Sequence, residues 1–103
     1  MSDEFRIEVE ETDSKGRYVH RAGGAEAEMT FSKAGPRLLI IDHTEVPDAF
    51  RGQGVGAKLV ARAVEDARKS GKKIIALCPF AAAQFRRHDE WQDVIQQPRG
   101  ESK

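Results

Sequence analysis

Three glycines fall within five positions, at Gly52, Gly54 and Gly56, in the stretch DAFRGQGVGAKL from Asp48 to Leu59. Glycine is costly inside regular structure, so a third of the chain's nine glycines gathered here marks a backbone with an unusual task. The flanks say where that task lies. Upstream, Arg37 to Val46 (RLLIIDHTEV) is β-rich with a continuous apolar centre. It reads as a central strand buried on both faces, stopped by Pro47. Downstream, Leu59, Val60, Ala63, Val64 and Ala67 fall on one helical face, while Lys58, Arg62, Glu65, Asp66 and Lys69 point away. Arg62–Asp66 and Glu65–Lys69 are i,i+4 pairs that support the helix, and Gly71 is placed to cap its end. The glycines therefore join the end of a strand to the head of a helix.

The first turn of a helix has unpaired N–H groups and a positive dipole end. Glycine lets the backbone approach a ligand and take a positive φ. Together these make an anion site suited to a diphosphate, and Arg51 adds a positive charge. A mononucleotide P-loop requires Gly-Lys-Ser/Thr at the helix start. Here Gly56 is followed by Ala57-Lys58-Leu59, with no hydroxyl for magnesium. A dinucleotide fingerprint requires G-x-G-x-x-G after the first strand of a βαβ unit. The spacing of Gly52, Gly54 and Gly56 differs, and the preceding strands read as hairpins. The remaining alternative is a purely structural turn, for which one glycine suffices.

Phe5, Ile7 and Val9 alternate with charged residues as a first strand, and Asp13-Ser14-Lys15-Gly16 reads as a turn. Arg17 to Ala22 is a second strand, Gly23-Gly24 a hairpin signal, and Ala25, Ala27, Met29 and Phe31 line one face of a third strand. Ala34-Gly35-Pro36 turns the chain into the fourth. Lys73 to Cys78 is a fifth strand, Ala81 to His88 a second helix, and Asp89 to Ile95 one more helical turn around Trp91. This order gives α+β or α/β with a mixed sheet, the long helix forming a right-handed crossover if its flanking strands are parallel. The 103 residues predict a single domain over 1–95 and a frayed tail over 96–103. Seventeen basic residues balance seventeen acidic ones, so no nucleic-acid or membrane partner is expected from net charge. Zero net charge and exposed sheet edges leave a monomer or weak dimer. No apolar run approaches the roughly 20 residues of a membrane span, and the acidic start MSDEFRIEVEE is unlike a signal peptide. The single cysteine, Cys78, has no internal disulfide partner, which fits a cytoplasmic protein.

The stretch Arg51-Gly52-Gln53-Gly54-Val55-Gly56 fits the pattern Arg/Gln-x-x-Gly-x-Gly/Ala. With His43-Thr44-Glu45-Val46-Pro47, and with Cys78-Pro79-Phe80 followed by Arg86-Arg87-His88, it makes residues 5–95 resemble the GNAT superfamily of acyl-CoA N-acyltransferases. Within it, the chain is similar to a subgroup of minimal single-domain members of about this length. The resemblance implies a mostly antiparallel mixed sheet of about five strands, a long helix after a pyrophosphate loop, and a shorter C-terminal helix. It implies acetyl-CoA as co-substrate, no metal, and transfer of an acetyl group to an amine. The amides of Arg51, Gly52, Gln53, Gly54, Val55 and Gly56 would hold the diphosphate. The backbone at Thr44-Glu45-Val46 would bind the pantetheine arm between parted strands, with Phe80 among the coenzyme-binding residues. An N–H near Val46 would polarise the thioester carbonyl.

The reaction so implied needs a base for the ammonium. His43 and Glu45 are the candidates; two apart in a strand, they share a face opposite to that of Asp42 and Thr44. Each also reads as an ordinary strand residue. His20 reads as a surface residue and His88 as part of a solvated helix end with Arg86 and Arg87, the arginines alternatively gripping phosphates. Many superfamily members carry Asn-x-x-Ala-x-x-x-Tyr after the fifth strand, the tyrosine serving as acid. Here the spacing falls on Cys78 and Phe85, and phenylalanine has no proton to give. Cys78 then reads as acid, as nucleophile taking the acetyl group, or as a small buried hydrophobe. The two helices that usually separate the first two strands and build the acceptor site are replaced by Asp13–Gly16. The acceptor side is therefore open, which suits an amine on a protein or peptide. The alternative function is a CoA-binding module without turnover.

Overall fold

The computed structural model describes residues 6–96; Phe5 and the tail after Gln96 lie outside the described residues. The chain forms β1 (Glu8–Glu11), β2 (Lys15–Ala22), β3 (Ala25–Lys33), β4 (Leu38–Glu45), α1 (Val55–Ser70), β5 (Lys73–Ala76) and α2 (Pro79–Arg87). Short 3₁₀ turns cover Asp48–Phe50 and Asp89–Val94. The strands lie in the order β1-β2-β3-β4-β5. The first three pairings are antiparallel and β4–β5 is parallel. This is the α+β mixed sheet that the element order implies.

Local chemistry accounts for each element. Gly23 (φ 58°) and Gly24 (φ 82°) supply the two positive φ angles of a two-residue hairpin loop, pairing Ala22 with Ala25. In α1 the five residues of the expected apolar face are each at most 1% exposed. Gly71 ends the helix in a left-handed conformation, and the Lys72 amide donates to the Ala67 carbonyl at 2.8 Å. Helix α2 starts two residues earlier than expected, at Pro79, whose missing N–H costs nothing in a first turn. β5 correspondingly stops at Ala76, and β2 begins at Lys15 because the preceding turn closes on the Thr12 hydroxyl.

Both helices pack on one face of the sheet. Ala27, Met29 and Phe31 of β3, Leu39 and Ile41 of β4, and Ile74 of β5 meet the apolar face of α1. Tyr18 donates its hydroxyl to Asp66 Oδ2 at 3.1 Å, and Arg62 binds the same carboxylate at 3.2 Å. Burial, then the Asp66 charge, push the Tyr18 pKa far above its ordinary value, so it remains a donor.

Three expectations need correction. β4 is buried on one face only: Leu39 and Ile41 are covered, whereas Leu38 and Ile40 are half-buried, because among the described residues no helix crosses the second face. His20 is not a surface residue; it is 8% exposed, its ring lies 5.1 Å from that of Phe50, and Nδ1 is 2.8 Å from the Arg6 carbonyl. Gln96 is not frayed, since its amide donates to the Ile74 carbonyl at 2.9 Å.

The second face carries charge. Arg17 contacts Glu10 at 2.8 Å, Glu26 at 3.0 Å and Glu28, while Arg21 contacts Glu8 at 2.8 Å, Glu10 at 3.1 Å and Glu26 at 2.9 Å. Val19, 1% exposed and outside the main core cluster, sits on this face between Glu8 and Glu28 of the neighbouring strands.

Candidate active site

The site begins with an irregularity in β4. Thr30 pairs with His43 and Phe31 with Ile41, so Asp42 is an extra residue without a partner on β3. Such a bulge resets the alternation of faces. Asp42 turns to the uncovered face, where its Oδ2 accepts from Ser32 Oγ at 2.7 Å. His43 follows it there, and Thr44 turns back to the helix face, 3.4 Å from Cys78 Sγ. His43 and Glu45 therefore do share a face, with Nε2 and Oε1 3.9 Å apart and side chains 64% and 70% exposed. The expectation that Asp42 lies with Thr44 is overturned by the bulge. Without it, His43 and Glu45 would point into the apolar core beside Ile41.

The parallel pairing of β4 with β5 stops at Ile41 and Ala76. The amides of Leu77 and Cys78 still reach the Ile41 carbonyl at 3.0 and 3.2 Å, and Cys78 Sγ reaches Thr44 Oγ1 at 3.4 Å; β4 then runs on to Glu45, paired with β3, while the other chain turns into α2. Beyond these contacts the two chains are no longer paired, and a gap is left between the end of β4, at Glu45 and Val46, and the head of α2 at Phe80. The head of α1 stands at its mouth. Gly54 caps the helix in the left-handed region (φ 70°, ψ 24°), no side chain caps the first turn, and no acidic residue lies within it. Gly52 is also left-handed, at φ 79°. Gly56 is needed for another reason: a Cβ there would stand 2.6 Å from Phe80 Cζ and 3.4 Å from Val46 Cγ2. Two glycines serve the turn and the third admits an aromatic ring. Val46, Gly56 and Phe80 therefore meet, with Phe80 39% exposed.

The remaining loop residues are held locally. Arg51 donates to Asp48 Oδ1 at 2.9 Å across the solvent-exposed turn. Gln53 Nε2 donates to the Ala49 carbonyl at 3.2 Å, and the Val55 side chain is buried in the core, so only its amide faces the loop.

Cys78 is 4% exposed and lies immediately before α2. Burial pushes its thiol pKa up, but the Thr44 hydroxyl and the backbone around Ala81 and Phe80 outweigh it, and the thiol titrates below its ordinary range. Phe85, at the position of the missing acid, is 4% exposed and packs edge-on against Trp91. Arg86 and Arg87 are exposed at the end of α2, and His88 stacks on Trp91 with centroids 3.9 Å apart. Cys78 and Thr44 are brought together on the helix side of the gap, His43 and Glu45 on the other side.

Reading the sequence missed Asp48, although its i,i+3 spacing to Arg51 is visible there. It also missed Glu28, which pairs directly with Glu45 across β3 and β4. Only the register, set by the bulge, brings those two together. Among the described residues no group of three His, Cys, Asp or Glu side chains is arranged to hold a metal ion, and no helix is long and apolar enough to cross a membrane.

Strand, glycine loop, uncapped helix head and parted parallel strands define a class, and comparison with known proteins agrees with it. Residues 17–94 match the model of the GCN5-related N-acetyl-transferase family, and the chain belongs to that family. It is similar to Protein NATD1 of Gallus gallus, 37% identical over 62 residues, covering 58% of this chain and 56% of that one. Protein NATD1 of Homo sapiens gives 37% identity over 62 residues and 54% of its length. The chain thus spans little more than half the length of these relatives. The solution structure of a GCN5-like protein from Staphylococcus aureus superposes with a TM-score of 0.66 at 37% identity, covering 89% of this chain and 90% of that one. A ribosomal-protein-alanine N-acetyltransferase from Brucella melitensis shares the fold, with a TM-score of 0.60 at 17% identity over 89% of this chain and 69% of that one.

Proposed function

We propose that the chain transfers an acetyl group from acetyl-CoA to an amine carried on a protein or peptide. The observation that carries this reading is the uncapped first turn of α1 at the mouth of the gap between β4 and β5. Amides without a capping acid, at the positive end of a helix of 16 residues, are a donor set for a diphosphate. The amides of Arg51 and Gln53 are given to the Asp48 and Phe50 carbonyls at 2.9 and 3.1 Å, so within Arg51–Gly56 the amides of Gly52, Gly54, Val55 and Gly56 would take the diphosphate, the Arg51 side chain exchanging Asp48 for a phosphate oxygen. The pantetheine arm would run past Phe80 and Val46 into the gap, along the edge of Thr44-Glu45-Val46, with the Cys78–Thr44 contact at its inner end. An N–H near Val46 would hold the thioester oxygen.

The amine enters from the uncovered face, where Glu45, with His43 beside it, accepts the ammonium proton. The free amine attacks the carbonyl carbon, the nitrogen of the adduct gives up its second proton to water, the C–S bond breaks, and the leaving thiolate takes a proton from Cys78. Cys78 then recovers a proton from solvent. Its burial on the far side of the gap suits an acid for the sulfur better than a nucleophile that must meet the acceptor.

A second reading, a CoA-binding module without turnover, is favoured by one observation. The position of the usual acid is occupied by Phe85, which is buried and packed on Trp91. One experiment separates the two. Acetyl-CoA binding is measured by calorimetry, and thiol release is followed with a panel of lysine peptides. Heat of binding with thiol release supports the transferase. Heat without release supports the module, and no heat at millimolar coenzyme with folded protein removes both. Intact-mass spectrometry adds a check, because a stable acetyl adduct lost in Cys78→Ala would make Cys78 the nucleophile instead.

A further inference from the structure

We infer that the acceptor is a basic polypeptide segment lying across the uncovered face of the sheet, its reacting ammonium at Glu45 and a neighbouring cation at Glu28. This deepens the transferase reading and rests on it. Both helices pack against the opposite face, so among the described residues no helix covers the second face of β1 to β4. Glu8, Glu10, Glu26, Glu28, Asp42 and Glu45 face outward there. Lys15, Arg17 and Arg21 are the basic side chains among them. The sequence as a whole carries no formal net charge, so the acidic excess among these side chains is balanced by basic residues elsewhere.

The excess is greatest beside the gap. Glu28 and Glu45 stand directly opposite each other on β3 and β4. Like charges so placed destabilise a sheet. Arg17 reaches Glu28, yet Glu10 and Glu26 share that guanidinium. Among the described residues, the ion-pair partner of Glu45 is His43, 3.9 Å away. A cation arriving from outside relieves this repulsion, whereas a neutral or acidic partner does not. The flatness of the face selects for length. A small amine would touch one carboxylate and little else, while an extended segment spans strands about 4.8 Å apart and sets one cation on each. Opposite charge also speeds encounter with such a segment and makes it salt-sensitive.

The test uses the full chain and three fluorescein-labelled peptides, each with a central lysine flanked by basic, neutral or acidic residues. Anisotropy at low salt is expected to give about tenfold tighter binding for the basic peptide than for the acidic one, and the advantage should shrink as salt is raised. Glu45→Gln and Glu28→Gln should each weaken the basic peptide several-fold, with circular dichroism unchanged. Lys69→Gln, on the outer side of α1, should not. Equal affinity for the three peptides, or indifference to Glu45→Gln, overturns the inference. Free spermidine competing as well as the basic peptide, at equal charge, overturns its polypeptide part. Thiol release from acetyl-CoA is followed in parallel. Tight basic-peptide binding without thiol release removes the transferase reading but leaves the docking surface. Equal release from acidic and basic peptides keeps the transferase and removes the inference.

Discussion

On the helix side of the sheet, Met29, Ile41 and Ile74 are fully buried. One residue along the same strands, Glu28, Ile40 and Ile75 stay partly open on the other side. The difference is one of covering, since the strands are shared. Burying a large aliphatic side chain is worth about 1.5–3 kcal/mol, while exposed ion pairs contribute little. The helix side therefore decides whether the chain folds. The other side contributes little to folding, so its charges are not fixed by the demands of the core. The fold keeps one apolar core, and the docking proposed above would use the face that the core does not need.

The largest expected effect tests that division directly. Leu59 is 0% exposed at the centre of the helix side, and Leu59→Ala should cost about 2–5 kcal/mol in urea unfolding. Val19 is equally hidden, at 1%, but it lies on the charged face, opposite Glu8 and Glu28 on the neighbouring strands. Flexible stems can settle into the space, so Val19→Ala should cost about 1 kcal/mol. Equal losses at the two positions would mean that the charged face is a second core.

A smaller effect sharpens the comparison where the two faces meet, at the gap. Gly56→Ala should cost about 1–2 kcal/mol, because the new methyl stands where the Phe80 ring lies. It should also weaken coenzyme binding about tenfold, read by calorimetry. In a Phe80→Ala background the same substitution should cost less than half as much. A cost unchanged by removal of the ring would show that Phe80 is not what this glycine accommodates.

How much of this was legible in the sequence differs between the faces in the same way. The helix side was readable because its signals are local. The i,i+3,i+4 spacing from Leu59 to Ala67, the alternation Ala27-Met29-Phe31 and the glycine after Ser70 each follow from short-range geometry. The glycine loop was readable in kind, although only the structure separates the two left-handed glycines from the one pressed by Phe80. The uncovered side was not readable, because it depends on register. One extra residue, Asp42, sends His43 and Glu45 outward and brings Glu28 opposite Glu45. Nothing in the spacing of residues 37–46 announces that residue. The apolar run Leu38–Ile41 suggested cover on both faces; what was missing was an element to provide it. His20 escaped for a related reason, since its polar ring is held by Arg6 and Phe50, neither of them near it in sequence.

The smallest effect concerns the side chain that the bulge returns to the helix side. Thr44 lies 3.4 Å from the Cys78 thiol. Burial opposes ionisation there, but Thr44 and the backbone at the head of α2 more than offset it. Thr44→Val removes one favourable contact and leaves the burial, so the thiol pKa should rise, read as an upward shift of the ultraviolet thiolate titration. The sign for stability follows. The thiol loses its proton more readily folded than unfolded, so the folded state binds fewer protons between its own pKa and the ordinary thiol value near 8.5. Stability from Cys78 is then complete above that ordinary value and is lost as pH falls through the folded pKa. Cys78→Ser should lack this rise with pH, and Thr44→Val should narrow its window. A titration midpoint that Thr44→Val leaves in place would show that the contact across the gap does not tune the thiol. The helix side would then be, at this position too, nothing more than packing.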